Sequence, residues 1–173
     1  MLTRDYWRLL HALSVMIAVA MLGIVIYLQI VEFVMPCLFC IDLRLITIAY
    51  GLTCLLALVH KPGRWGRTLY SWLGIFYSVL AIAISAYILW LQKQPSDVVT
   101  ACGQGIGAEL IDWPFGETLM LLFAAYGECA TVTWTLWGYS LAVLSLCGFI
   151  GLLLFEIIKY RMVKRRDDQR FML

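Results

Sequence analysis

The run "ALSVMIAVAMLGIVIYLQIV", Ala12–Val31, holds twenty residues without a charge. A helix rises about 1.5 Å per residue, so this run covers the roughly 30 Å hydrocarbon core of a bilayer. Lipid offers no hydrogen-bond partners, and a segment at that depth must satisfy its own backbone as a helix. The run is longer than the ~7–15 residue apolar region of a cleavable signal peptide, and no A-x-A-like site follows it. It therefore reads as a permanent span.

Three more runs follow. Ile41–Val59 is charged only in its first turn, at Asp42 and Arg44. Thr68–Leu91 is uncharged, and Leu136–Ile158 carries the single charge Glu156. Short connections between such runs predict an all-α integral membrane protein, an antiparallel four-helix transmembrane bundle. It forms a single domain with spans over about 12–31, 41–59, 68–91 and 136–158. The long connection, about 92–135, contains "TLMLLFAAY", Thr118–Tyr126. That stretch is too short to span and reads as a helix lying in the interface. Composition agrees: 63% of the 173 residues are hydrophobic and 14% charged, against about 25% charged in a soluble domain. With a mean hydropathy of +0.88, the chain has lipid as its solvent.

Charge placement sets the orientation. Arg4, Arg8, Lys61, Arg64, Arg67, Lys159, Arg161, Lys164, Arg165, Arg166 and Arg170 fall at one end of the spans, eleven of thirteen basic residues. The opposite end holds Lys93, Arg44 and the acids Glu32, Asp42, Asp97, Glu109, Asp112, Glu117 and Glu128. Both termini are thus expected in the cytoplasm, as in a multi-pass protein of a bacterial inner membrane. The tail "KYRMVKRRDDQR" is expected to be solvated at the lipid surface. Membrane lipid is an expected partner; nucleic acid is not.

Four of the six cysteines, Cys37, Cys40, Cys102 and Cys129, fall on the outer side, where disulfides persist. Cys54 and Cys147 lie within spans and read as small apolar packing residues. Pro36 suits the first position of a helix, which sets Cys37 and Cys40 in the first turn beside unpaired N–H groups and the positive end of the dipole. That position favours the thiolate, the attacking species in disulfide exchange. Arg44 shares the face of Cys37 and Cys40. It reads either as an interfacial arginine reaching for headgroups or as a cation that holds a polar acceptor beside a redox pair. A zinc site is not expected: Cys102 and Cys129 stand singly with 26 residues between them, and His11 and His60 lie on the other side. Cys102 and Cys129 bracket the outer loop, either as a structural staple or as a second redox pair.

The stretches "PCLFCIDLR" (36–44), "ACGQGIGAEL" (101–110) and "GECATVTWTLWGYS" (127–140), with the four-span layout, resemble the disulfide bond formation protein B (DsbB) family. The resemblance covers most of the chain. It implies an inner-membrane protein-disulfide oxidoreductase that reoxidises a periplasmic thioredoxin-like dithiol oxidase (DsbA-like) and passes two electrons to a membrane quinone, ubiquinone or menaquinone. It implies that Cys102 forms the mixed disulfide with the partner and that Cys129 resolves it and exchanges with Cys37. Cys40 then faces the quinone, and Arg44 lies near the quinone head.

Two departures from the family pattern bear on the quinone site. Leu43 stands where many relatives carry a polar residue, and "AYILWLQKQ", Ala86–Gln94, lacks the histidine or arginine that some relatives place there. Two other readings use the same residues. One is a non-catalytic four-helix membrane protein whose outer disulfides staple its loop. The other is a DsbB-like oxidase dedicated to a specialised partner.

Overall fold

The computed structural model describes residues 2–33, 36–60, 62–93, 135–136 and 138–171. Four long helices dominate: α1 (Leu2–Val31), α2 (Leu38–Val59), α3 (Arg64–Leu91) and α4 (Leu141–Phe171). Each holds a stretch long and apolar enough to cross a membrane: Trp7–Val31, Leu38–Val59, Trp65–Leu91 and Leu141–Arg165. Their antiparallel order gathers the start of α1, the α2–α3 connection and the end of α4 at one end, here the basic end. The start of α2 lies at the other. The helix expected over Thr118–Tyr126, with the rest of segment 94–134, lies outside the described residues.

Local chemistry sets the breaks. Pro62 and Gly63 separate α2 from α3, with Gly63 as the N-cap in extended backbone, φ −67 and ψ −176. Before that break the His60 N–H closes α2 on the Leu56 carbonyl at 2.8 Å. Helix α4 begins at Leu141, not at Leu136 where the apolar run starts. Strands β1 (Thr135–Leu136) and β2 (Tyr139–Ser140) pair there as a tight antiparallel hairpin. Gly138, at φ 83, makes that turn possible, because a side chain there would strain the backbone. The Ser140 hydroxyl donates to Gln92 Oε1 at 3.1 Å and ties the hairpin to the end of α3.

The radial pattern inverts that of a soluble bundle. Met16, Ile24, Val79 and Leu154 face outward, while Ser14, Thr47, Ser71, Ser78 and Ser85 are buried. In lipid, helices gain little from burying apolar surface and associate through close packing of small residues and through polar contacts. The α3–α4 seam shows this. On α3 the buried positions are Ser71, Gly74, Ser78, Ala81, Ser85 and Ile88, alternating steps of three and four. On α4 the same alternation gives the buried Ala142, Phe149, Leu152, Glu156 and Lys159, with the half-buried Ser145 between the first two. Gly74 faces the Glu156 carboxylate, and eleven residues away on each helix the Ser145 hydroxyl meets Ser85 Oγ at 3.5 Å. These two contacts define one antiparallel register, which sets Ala81 opposite Phe149 and Ser78 opposite Leu152: small on α3, large on α4. Helix α1 closes the ring, with Ala18 against Gly51 of α2 and Met21 against Gly148 of α4.

Candidate functional site

Helix α2 opens on the paired cysteines. Cys37 is its N-cap, with φ −84 and ψ 169, so Pro36 precedes the cap and does not occupy the first helical turn. The extended ψ turns the Cys37 carbonyl into the helix, where it accepts from the N–H groups of Cys40 at 3.1 Å and Ile41 at 3.2 Å. The Cys37 side chain makes no capping hydrogen bond. Its Sγ lies 3.0 Å from Cys40 Sγ, in contact but well beyond the ~2.05 Å of a bond. Cys37 is buried and Cys40 half-buried. The pair stands at the end of the bundle away from the basic residues.

Arg44, one turn beyond Cys40, is 6% exposed, so the structure sets it inside the bundle and not on the lipid face. Its guanidinium is within electrostatic reach of both thiols. An arginine at this depth carries donors in a fixed planar fork, suited to the oxygens of a polar head. At the same end of α2 Phe39 meets Tyr87 of α3 edge-on, centroids 5.3 Å apart, and Tyr87 stacks on Trp90 at 5.7 Å. The start of α2 thus combines two thiols in contact, a buried cation and an aromatic wall. Cys102 and Cys129 lie outside the described residues. Cys54 is buried in the α2 core and Cys147 is exposed on α4.

A second polar cluster went unread in the sequence. The sequence assigns Lys159 to the solvated tail, but the structure buries it at 1% exposure beside Glu156 at 0%. Their ion pair is 2.6 Å long. Glu156 Oε1 also accepts from the Tyr50 hydroxyl of α2 at 2.6 Å, and the Lys159 ammonium donates to Ser14 Oγ of α1 at 3.1 Å. Ser14 Oγ lies 3.5 Å from Glu156 Oε1, but its one hydrogen is better placed on the Leu10 carbonyl at 3.1 Å. His11, its ring tilted against that of Trp7 with centroids 3.9 Å apart, sits one turn away. The signal was present: Glu156 and Lys159 hold the last two seam positions of α4, and a charge on a buried seam needs a partner.

Fold and site together define a multi-pass membrane protein that carries a Cys-x-x-Cys dithiol at a helix start. The family model of "Disulfide bond formation protein DsbB" matches residues 7–158. The chain is 36% identical over 138 residues to disulfide bond formation protein B of Methylobacillus flagellatus, covering 80% of this chain and 83% of that one. With the Nitrosococcus oceani protein of the same name it shares 37% over 145 residues, covering 84% and 86%. With that of Stutzerimonas stutzeri it shares 31% over 160 residues, covering 92% and 96%. The chain belongs to the DsbB family, and its function is disulfide bond formation.

Proposed function

We propose that the protein reoxidises a soluble periplasmic dithiol oxidase of the DsbA type and delivers the electrons to membrane quinone, from an inner membrane with both termini in the cytoplasm. The observation that carries this reading is the Cys37–Cys40 contact of 3.0 Å at the end of the bundle opposite the basic residues. Thiols on the non-cytosolic side of a membrane stand where disulfides persist.

The residues at the start of α2 suit a quinone. The buried Arg44 fork can donate to a carbonyl oxygen, and Phe39 and Tyr87 offer flat apolar surface at the same end of the bundle. Bound there, the quinone supplies a two-electron, two-proton acceptor. Cys102, on the polar segment between α3 and α4, takes the partner as a mixed disulfide, and Cys129 exchanges with Cys37. Each exchange breaks one S–S bond as it forms another, so two electrons and two protons pass from the partner to the Cys37–Cys40 pair. The pair then loses them, with Cys40 on the acceptor side, and its S–S bond re-forms.

The test is turnover of the purified protein in detergent with a ubiquinone analogue and a reduced DsbA-type partner. Cys102→Ser abolishes oxidation of the partner, and Cys40→Ser abolishes reduction of the analogue. Turnover that survives loss of Cys40 overturns the route.

A further inference from the structure

The Glu156–Lys159 pair lies well away from the dithiol. Tyr50, its contact on α2, stands ten residues below Cys40, about 15 Å along the helix. At that distance the pair touches neither Cys37 nor Cys40 and takes no part in exchange; the thiol in its surroundings is that of Cys54. Yet intramembrane charges are costly and rarely lack a role.

All four helices meet at this pair. Helix α4 supplies both charges, α1 supplies Ser14 to Lys159, and α2 supplies Tyr50 to Glu156. Helix α3 supplies room: a methyl added at Gly74 would run into the Glu156 carboxylate. The rest of the α3–α4 seam discriminates poorly between registers. Sliding α4 by one seam position sets Phe149 against Ser78 or Ser85 in place of Ala81, and small residues accept it at each. The same slide takes Glu156 off the glycine, onto Ser71 or Ser78, and pulls it from Tyr50. A displaced buried carboxylate loses its donor and its space together.

We propose that the Glu156–Lys159 pair is a register lock, which selects one arrangement of the four helices more than it adds to their stability. Buried ion pairs replaced as a unit by apolar residues commonly leave stability unchanged or raised, whereas removing one partner strands the other. A lock of this kind has two signatures, one in melting and one in register.

The experiment uses the full-length protein in lipid vesicles, in three forms: unaltered, Lys159→Met, and Glu156→Leu with Lys159→Met. Thermal melting is read for each. Ala81→Cys is then combined in turn with Phe149→Cys, Ser145→Cys or Leu152→Cys. A short bifunctional thiol reagent is added, and mass mapping tells the introduced links from those of native cysteines. Lys159→Met alone lowers Tm by about 10 °C or more. The double replacement returns Tm to within a few degrees of the unaltered protein. In the unaltered background the link forms at position 149; in the double replacement, links at 145 and 152 rise several-fold. Links confined to 149 in the double replacement would show that packing alone sets the register, and would overturn the proposal. So would a double replacement that melts as low as Lys159→Met alone.

Discussion

The hydroxyl of Tyr50 donates to Glu156 Oε1 at 2.6 Å, joining α2 to α4 across 106 positions of sequence. The same oxygen receives Lys159 at 2.6 Å, so one carboxylate atom anchors two donors from different helices. Both residues are shielded from solvent and lipid, with Tyr50 1% exposed.

Tyr50→Phe keeps the ring and removes this donor. A hydrogen bond to a charged group contributes about 1.5–3 kcal/mol. For a chain of this size that corresponds to a Tm lower by about 3–12 °C. Melting in detergent reads the shift. Turnover well below the transition stays near that of the unaltered protein, since the cysteines are not touched.

Gly74→Ala forces a methyl against the Glu156 carboxylate. Overpacking of this kind costs about 1–3 kcal/mol. The penalty should vanish when Glu156→Ala is present as well, because the clash is with that side chain. A melting cycle over the two single variants and the double measures the coupling. Equal penalties in both backgrounds would place the strain elsewhere.

The four expected redox cysteines and the two remaining ones should separate cleanly. Cys37→Ser and Cys40→Ser each abolish reduction of a quinone analogue, while Cys54→Ala and Cys147→Ala retain it. Cys54 is buried, so its truncation costs about 1 kcal/mol of stability and little else. Stopped-flow loss of the quinone absorbance provides the readout.

Arg44→Met leaves the loop chemistry alone and removes the buried fork. The KM for a quinone analogue should rise about tenfold, corresponding to ~1.4 kcal/mol of lost binding. Trapping of the partner on Cys102 in a Cys129→Ala background should proceed unchanged. A fall in trapping with an unaltered KM would move Arg44 out of the acceptor site.

Much of this architecture could be read directly from residues. Ala12–Val31 and Thr68–Leu91 declare themselves, because twenty or more uncharged residues have only one stable form in lipid. The Cys37–Cys40 pair was legible from the break at Pro36, though its place in the helix was not. Whether Cys37 is a cap or a first-turn residue depends on one ψ angle. Leu136 misled because apolar character continues through the hairpin, and Gly138 alone marked the turn. Lys159 misled for a deeper reason. Orientation by charge treats each lysine as wet, whereas this one is neutralised three residues away by Glu156. Separating a membrane-surface lysine from a buried one takes knowledge of what the adjoining helices offer, here Ser14 and the space above Gly74.

The cap of α2 has a chemical corollary. Cys37 starts the helix with its carbonyl, which holds two N–H groups, and its sulfur contributes nothing to that scaffold. Had serine or aspartate stood there, the side chain itself would have been tied up in stabilising the turn. In the proposed exchange the sulfur would therefore trade one covalent neighbour for another without removing a hydrogen bond that starts the helix.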